Sequence, residues 1–136
     1  PHFERLIQSC DATFEAARNA VLERRRELSR IDGIFAQADI MALGVISALR
    51  EIGIRVPQDM PVVGYDDIRP AAITHPTLTT VHQPQERLAR EACRYLVDLL
   101  NQRSEGEALS MILKPHLVVR ESAPESATGP DEEDTR

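Results

Sequence analysis

Gly33-Ile34-Phe35-Ala36-Gln37-Ala38-Asp39-Ile40-Met41-Ala42-Leu43-Gly44 is the stretch whose reading settles the fold class. Its first four residues are a short apolar burst, the pattern of a strand buried on both faces. Asp39 then falls where a helix N-cap belongs, because a short side-chain oxygen there can take up an orphan backbone N–H. Apolar residues recur as far as Ile52, and Gly53 stands where helices end in a left-handed residue, so a helix is expected over 40–52. Strand, turn and helix in this order make half of a parallel crossover unit.

The alternation continues on both sides. Upstream, 5–10 reads as a strand and 14–29 as a helix, with Phe14, Ala17, Val21 and Leu28 on one apolar stripe. Downstream, Pro61-Val62-Val63-Gly64-Tyr65 is a strand and Leu78-Thr79-Thr80-Val81 a further extended segment. Pro84 suits a first helical position, and Leu88, Ala92, Tyr95, Leu96 and Leu99 stripe a helix to about residue 102. Two short strands, 111–113 and 117–119, close the pattern. The expected class is α/β: a mainly parallel sheet flanked by helices. Ligands of such sheets sit outside the carboxyl ends of the strands. Three polar turns should converge there: Asp11-Ala12-Thr13, Gln37-Ala38-Asp39 and Asp66-Asp67.

Composition narrows the function classes. The chain has 136 residues, 42% hydrophobic and 28% charged, which suits one soluble domain rather than a coiled coil, collagen or disulfide scaffold. No apolar run reaches the ~18–20 residues of a membrane span, and no signal segment opens the chain, so no membrane partner is expected. Cys10 and Cys93 are far apart and read as reduced thiols, which points to the cytoplasm. The first residue is Pro1, and an excised or processed piece is expected. Six acids and Arg136 give residues 121–136 a charge of −5 out of the total −6. That composition cannot bury enough apolar area to fold, so 123–136 is expected to be a disordered acidic tail and 1–122 the domain. The near-neutral body has no broad basic face for phosphates, and Arg24-Arg25-Arg26 reads as a solvated helix face rather than a DNA contact.

No catalytic constellation is visible. Cys10 has no base tied to it by spacing, and His75 and His82 are separated by Pro76 and an extended segment. His2 and His116 read as surface or packing residues, and the glycines are too scattered to cradle phosphate. No enzyme, metal or cofactor is expected. Asp66-Asp67 is the most suggestive pair. Adjacent residues leaving a strand face opposite sides, so one can meet a ligand while the other shapes the turn, and both could simply be turn residues. The 40–52 helix is apolar around almost its whole circumference, with only Ser47, Arg50 and Glu51 clearly polar. Such a helix must be covered on two sides. Either another part of the chain or a second subunit does so, and a subunit interface is the preferred expectation.

These residues resemble the LacI/GalR family of bacterial transcription regulators. The run 34–44, then Val56-Pro57-Gln58-Asp59, Val62-Val63-Gly64-Tyr65-Asp66-Asp67, Leu78-Thr79-Thr80-Val81-His82-Gln83-Pro84 and Leu117-Val118-Val119-Arg120-Glu121-Ser122 follow in that family's order, over about 5–122. The resemblance implies a partial type I periplasmic-binding-protein-like lobe, sensing a small sugar- or nucleoside-like effector within a homodimer. It implies DNA binding only through a helix-turn-helix headpiece that this sequence does not contain. It also implies that 84–113 crosses to an upstream lobe, likewise outside the sequence. Position by position, Asp66 matches the acidic effector ligand. Ala38 stands where many members carry an Asn, and Ala12 where some carry an aromatic that stacks on the ligand, which argues against a flat purine. Gln83 lies at the crossover. Leu43, Ser47, Ile73 and Thr74 match the dimer interface. A sugar-binding transport protein of the same fold is the alternative.

Overall fold

The computed structural model describes residues 10–101 and 110–125. Helix α1 (Phe14–Glu23) leads through a short 3-10 turn (Leu28–Arg30) to strand β1 (Ile34–Phe35) and helix α2 (Asp39–Glu51). Strand β2 (Val62–Asp66), a second 3-10 turn (Arg69–Ala72), strand β3 (Thr79–His82), helix α3 (Gln85–Leu100) and strand β4 (His116–Val118) follow. The sheet order is β1-β2-β3-β4. The first three strands are parallel, with Phe35 beside Val63 and Asp66 beside His82, and β4 runs antiparallel to β3. The expected class is what the chain adopts.

The element bounds depart from expectation where tertiary contacts take over. Helix α1 stops at Glu23 instead of continuing to Ser29. The arginine run 24–26 falls at the negative pole of the helix, where cations are favoured, and the separate 3-10 turn then buries Leu28. Residues 111–113 form no strand, and the closing strand is His116–Val118 rather than 117–119. The expected strand at 5–10 lies outside the described residues apart from Cys10, which is not in a strand, and the tail lies outside them beyond Glu125.

Helix α2 ends as its sequence dictates. Gly53 has φ +79°; its N–H meets the carbonyl of Arg50 at 3.1 Å, and that of Ile54 meets Leu49 at 2.9 Å. This pair of bonds is a Schellman cap. The start of the helix is different. Asp39 is not the N-cap; Ala38 holds that place with an extended backbone and no side-chain cap. Asp39 is wholly buried and its carboxyl is bonded elsewhere, to the hydroxyl of Thr80 at 2.6 Å and the backbone N–H of Ile68 at 2.9 Å.

The core forms where α1 and β2 close on α2. It includes Ala17, Val21, Met41, Val45, Ile46, Leu49, Val62 and Leu78. The apolar circumference of α2 is therefore covered chiefly within the chain, by α1 on one side and the sheet on the other. This corrects the expectation that a second subunit supplies the cover: the apolar circumference alone does not require one. Between residues 40 and 50 the positions left unburied are Ile40, Leu43, Ser47 and Arg50, a single stripe at helical spacing. Helix α3 is the opposite case. It is amphipathic, yet among the described residues none of its side chains is buried, and Leu88, Leu96, Val97 and Leu100 are exposed.

The close crossing of α1 and α2 rests on Gly44. A Cβ there would stand 2.2 Å from the carbonyl oxygen of Phe14 and 3.2 Å from the backbone N of Arg18. Both are backbone atoms of α1, so the helices must separate to admit any side chain. Gly44→Ala is expected to lower stability by about 1–3 kcal/mol, the cost of overpacking, despite its gain in helix propensity. A lowered urea midpoint with an unchanged slope is the result expected.

Candidate functional site

The carboxyl ends of β1, β2 and β3 lie side by side, and the turns that leave them form a polar rim. The turn after β2 is the decisive one. Asp66 and Asp67 have φ of +116° and +55°, conformations that side-chain-bearing residues adopt sparingly, with Asp and Asn the usual exceptions. Asp39 holds this turn from below: Asp67 N–H reaches the Thr80 hydroxyl at 3.4 Å, that hydroxyl donates to Asp39, and Ile68 N–H donates directly to Asp39. Strain of this kind persists only where surrounding bonds over-determine it.

The two aspartates go to different partners. Asp67 is engaged at both oxygens: Arg120 donates to Oδ1 at 2.7 Å, and His82 Nδ1 lies 2.9 Å from Oδ2. Burial pushes the Asp67 carboxyl up, but the hydrogen bonds from Arg120 and then His82 outweigh it, so the group titrates below its ordinary value. Asp66 Oδ1 accepts from the side-chain amide of Gln83 at 2.9 Å, and among the described residues its second oxygen accepts no hydrogen bond. One carboxyl is thus consumed by the fold while the other keeps acceptor capacity at the rim.

The remaining expected site residues lie on other elements, and none of them is bonded to this pair among the described residues. Ala38 sits at the amino end of α2, where its carbonyl accepts from Met41 and Ala42, both at 3.1 Å. Ala12 is exposed in the turn before α1, beside Thr13, whose hydroxyl caps that helix through Ala16 N–H at 3.1 Å. Leu43 and Ser47 lie half-buried on the open stripe of α2. Ile73 is 70% exposed, and Thr74 beside it bonds the Pro76 carbonyl at 3.3 Å. The guanidinium of Arg50, at the end of the stripe, donates to the carbonyl of His75.

Sequence reasoning missed the clasp that closes the domain. Ser122 is fully buried; its hydroxyl donates to the Val62 carbonyl at 2.6 Å and accepts from Thr79 N–H at 2.8 Å. The Thr79 hydroxyl accepts from Arg120 N–H at 2.8 Å, and Arg120 also donates to the Leu78 carbonyl at 2.9 Å. The threonines at 79 and 80 were a usable signal, since hydroxyls in a buried extended segment need partners. A shallow depression of about 390 Å³ by Arg50, Arg55, Val56 and Pro76 lies at the far end of α2 from this rim. Asp59 already clamps Arg55 there at 2.7 and 2.6 Å.

Asp67→Asn is expected to destabilise the fold by roughly 1.5–3 kcal/mol, the range for hydrogen bonds to charged groups. Because the native carboxyl titrates below 3.8, its contribution is complete above that value and is lost as pH falls through the lowered native value. An acid-unfolding series should show that loss in the parent chain and a flatter profile in the variant.

Residues 4–123 match the periplasmic binding protein-like domain. The HTH-type transcriptional regulator CelR of Thermobifida fusca is 39% identical over 119 residues, covering 88% of this chain and 35% of the regulator. The solved CelR–cellobiose complex superposes with a TM-score of 0.82 at 37% identity, over 90% of this chain and 37% of that one. The HTH-type transcriptional repressor PurR of Photorhabdus laumondii subsp. laumondii is 40% identical over 109 residues, 79% of this chain and 31% of the repressor. A LacI family transcriptional regulator from Arthrobacter sp. FB24, solved with lactose, gives a TM-score of 0.76 at 39% identity, over 84% of this chain and 43% of that one. The chain spans about a third of the length of the curated relatives it matches.

Proposed function

We propose, for a chain that belongs to the periplasmic binding protein-like domain family, that it is the effector-sensing and dimerisation portion of a LacI/GalR-type transcription regulator. The carrying observation is the asymmetry of the two aspartates: Asp67 is spent on Arg120 and His82, while Asp66 shares one oxygen with Gln83 and keeps the other. An ionised acceptor at a rim suits vicinal sugar hydroxyls, and Gln83 beside it offers both a donor and an acceptor. Ala12 offers no ring to stack on a planar base, which favours a sugar, and Ala38 offers the ligand no polar side chain. The relatives solved with cellobiose and lactose support the same ligand class.

The mechanism is a shift in population. Helix α3 leads toward an upstream lobe, whose surface covers its exposed apolar face. An effector held between that lobe and Asp66 favours one lobe arrangement. The arrangement is transmitted through the dimer to helix-turn-helix headpieces, and DNA is met only by those. The regulator works in the cytoplasm, with no chemistry done on the effector and no cofactor. The dimer contact uses the α2 stripe, Leu43 and Ser47, continued by Ile73 and Thr74.

Asp66→Asn keeps the shape and removes the charge. In the intact regulator, calorimetry with a panel of cellobiose, lactose and ribose should find affinity for the sugar that binds lowered by roughly 1.5–3 kcal/mol, about 10–150-fold. Operator affinity without sugar should stay as in the parent. Equal sugar affinity in parent and variant would reduce Asp66 to a turn residue.

Ile73→Asp tests the interface. Ile73 is exposed, so the substitution costs the subunit little, but a charge without a partner inside a subunit contact is costly. Sedimentation of the intact regulator should show monomers. An unchanged dimer would move the interface elsewhere.

A further inference from the structure

His82 and His116 stand directly opposite each other in the β3–β4 register. Effector recognition as proposed uses neither imidazole directly. Their ring centroids are 4.9 Å apart, with planes inclined at 42°. Two imidazoles that share one ion through metal–nitrogen bonds of about 2.0–2.1 Å place their centroids roughly 4.5–5.2 Å apart, for bond angles between square and tetrahedral. The observed separation falls inside that window with the strands where they are. His82 has the further feature of a metal ligand: Asp67 Oδ2 lies 2.9 Å from its Nδ1, and Asp67 is itself held by Arg120 at 2.7 Å. A carboxylate on one ring nitrogen keeps the proton there, fixes the ring and leaves Nε2 as the lone-pair donor. His116 is exposed and His82 partly so, which leaves an approach from solvent.

We propose that His82 and His116 form a two-imidazole site for a divalent transition ion of the nickel, copper and zinc group, with Asp67 as the outer-shell carboxylate that orients His82. Two nitrogen ligands with no first-shell oxygen anion select against magnesium and calcium. Among the described residues no group of three or more His, Cys, Asp or Glu side chains could hold a metal. Water therefore completes the coordination, and the ion is exchangeable rather than a closed structural centre. It would clip β3 to β4 one residue before Gln83, independently of whether a sugar is the effector.

Nickel chloride is the suitable probe, because Ni²⁺ favours imidazole and does not oxidise Cys10 or Cys93. Calorimetric titration of the 136-residue chain, with both thiols alkylated, should show one saturable Ni²⁺ site. The unfolding temperature should rise with Ni²⁺ concentration by mass action. Loss of an outer-shell partner alone costs roughly 10–100-fold in affinity, so His116→Gln and His82→Gln should each weaken binding by at least about tenfold. His75→Gln should leave it unchanged. Circular dichroism without metal checks that each variant is folded, and His116, being exposed, is the variant least able to disturb the fold. Paramagnetic broadening of the His82 and His116 ring signals gives a second readout. Unchanged Ni²⁺ affinity in His116→Gln, or no saturable binding at millimolar Ni²⁺, would overturn the assignment.

Discussion

The buried carboxyl of Asp39 is the interaction on which the rest of this domain depends. It is fully inaccessible, and its two oxygens take the Thr80 hydroxyl from β3 and the Ile68 N–H from the turn after β2. Two separate elements are thereby pinned to the first residue of α2. Gly64 completes the arrangement, since a Cβ on β2 at that position would meet Asp39 Oδ1 at 2.2 Å. Leaving the buried Thr80 hydroxyl or the Asp39 carboxyl unpaired costs roughly 1–3 kcal/mol, so the pins stabilise chiefly through what their loss would leave unsatisfied. Their structural effect is larger than their net energy. They fix the backbone of residues 67 and 68, and so the direction in which Asp66 leaves the sheet.

From that fixed turn the candidate site follows. Two adjacent carboxyls would be interchangeable by composition, and the fold separates them by what it places opposite each. Arg120, delivered by the segment after β4, and His82, at the end of β3, converge on Asp67. Gln83, one residue further, meets Asp66. The clasp of Ser122 and Thr79 under β2 holds Arg120 where it can reach Asp67, so the closing segment serves the rim as well as the core. The packing of α1 on α2 is equally tight: α1 covers α2 so closely that Gly44 is required, and only a narrow stripe of α2 is left unburied.

Local features were legible in the sequence, and long-range ones were not. The strand, turn and helix over 33–53 depend on neighbours in the chain, and Gly53 announced its own left-handed cap. Asp39 misled because its true partners are 29 and 41 residues away; at a helix start, the local reading of an aspartate is a cap. The apolar circumference of α2 correctly demanded two covers, but sequence could not show that α1 approaches within backbone contact at Gly44. The stripe of α3 was readable, and so was its exposure once no other element of the chain was assigned to cover it. Asp66 and Asp67 could be singled out as a pair, whereas assigning their separate partners required Arg120, 53 residues on, to be in place. The order of motifs across 5–122 identified the family, and the match over residues 4–123 agrees with it.

The most direct test of the account is a crystal structure of the intact protein with the sugar of the cellobiose, lactose and ribose panel that saturates it. A sugar hydroxyl is expected within hydrogen-bonding distance of Asp66, with Asp67 still paired to Arg120 and His82. A sugar bound elsewhere, with Asp66 still bonded to Gln83 alone, would contradict it.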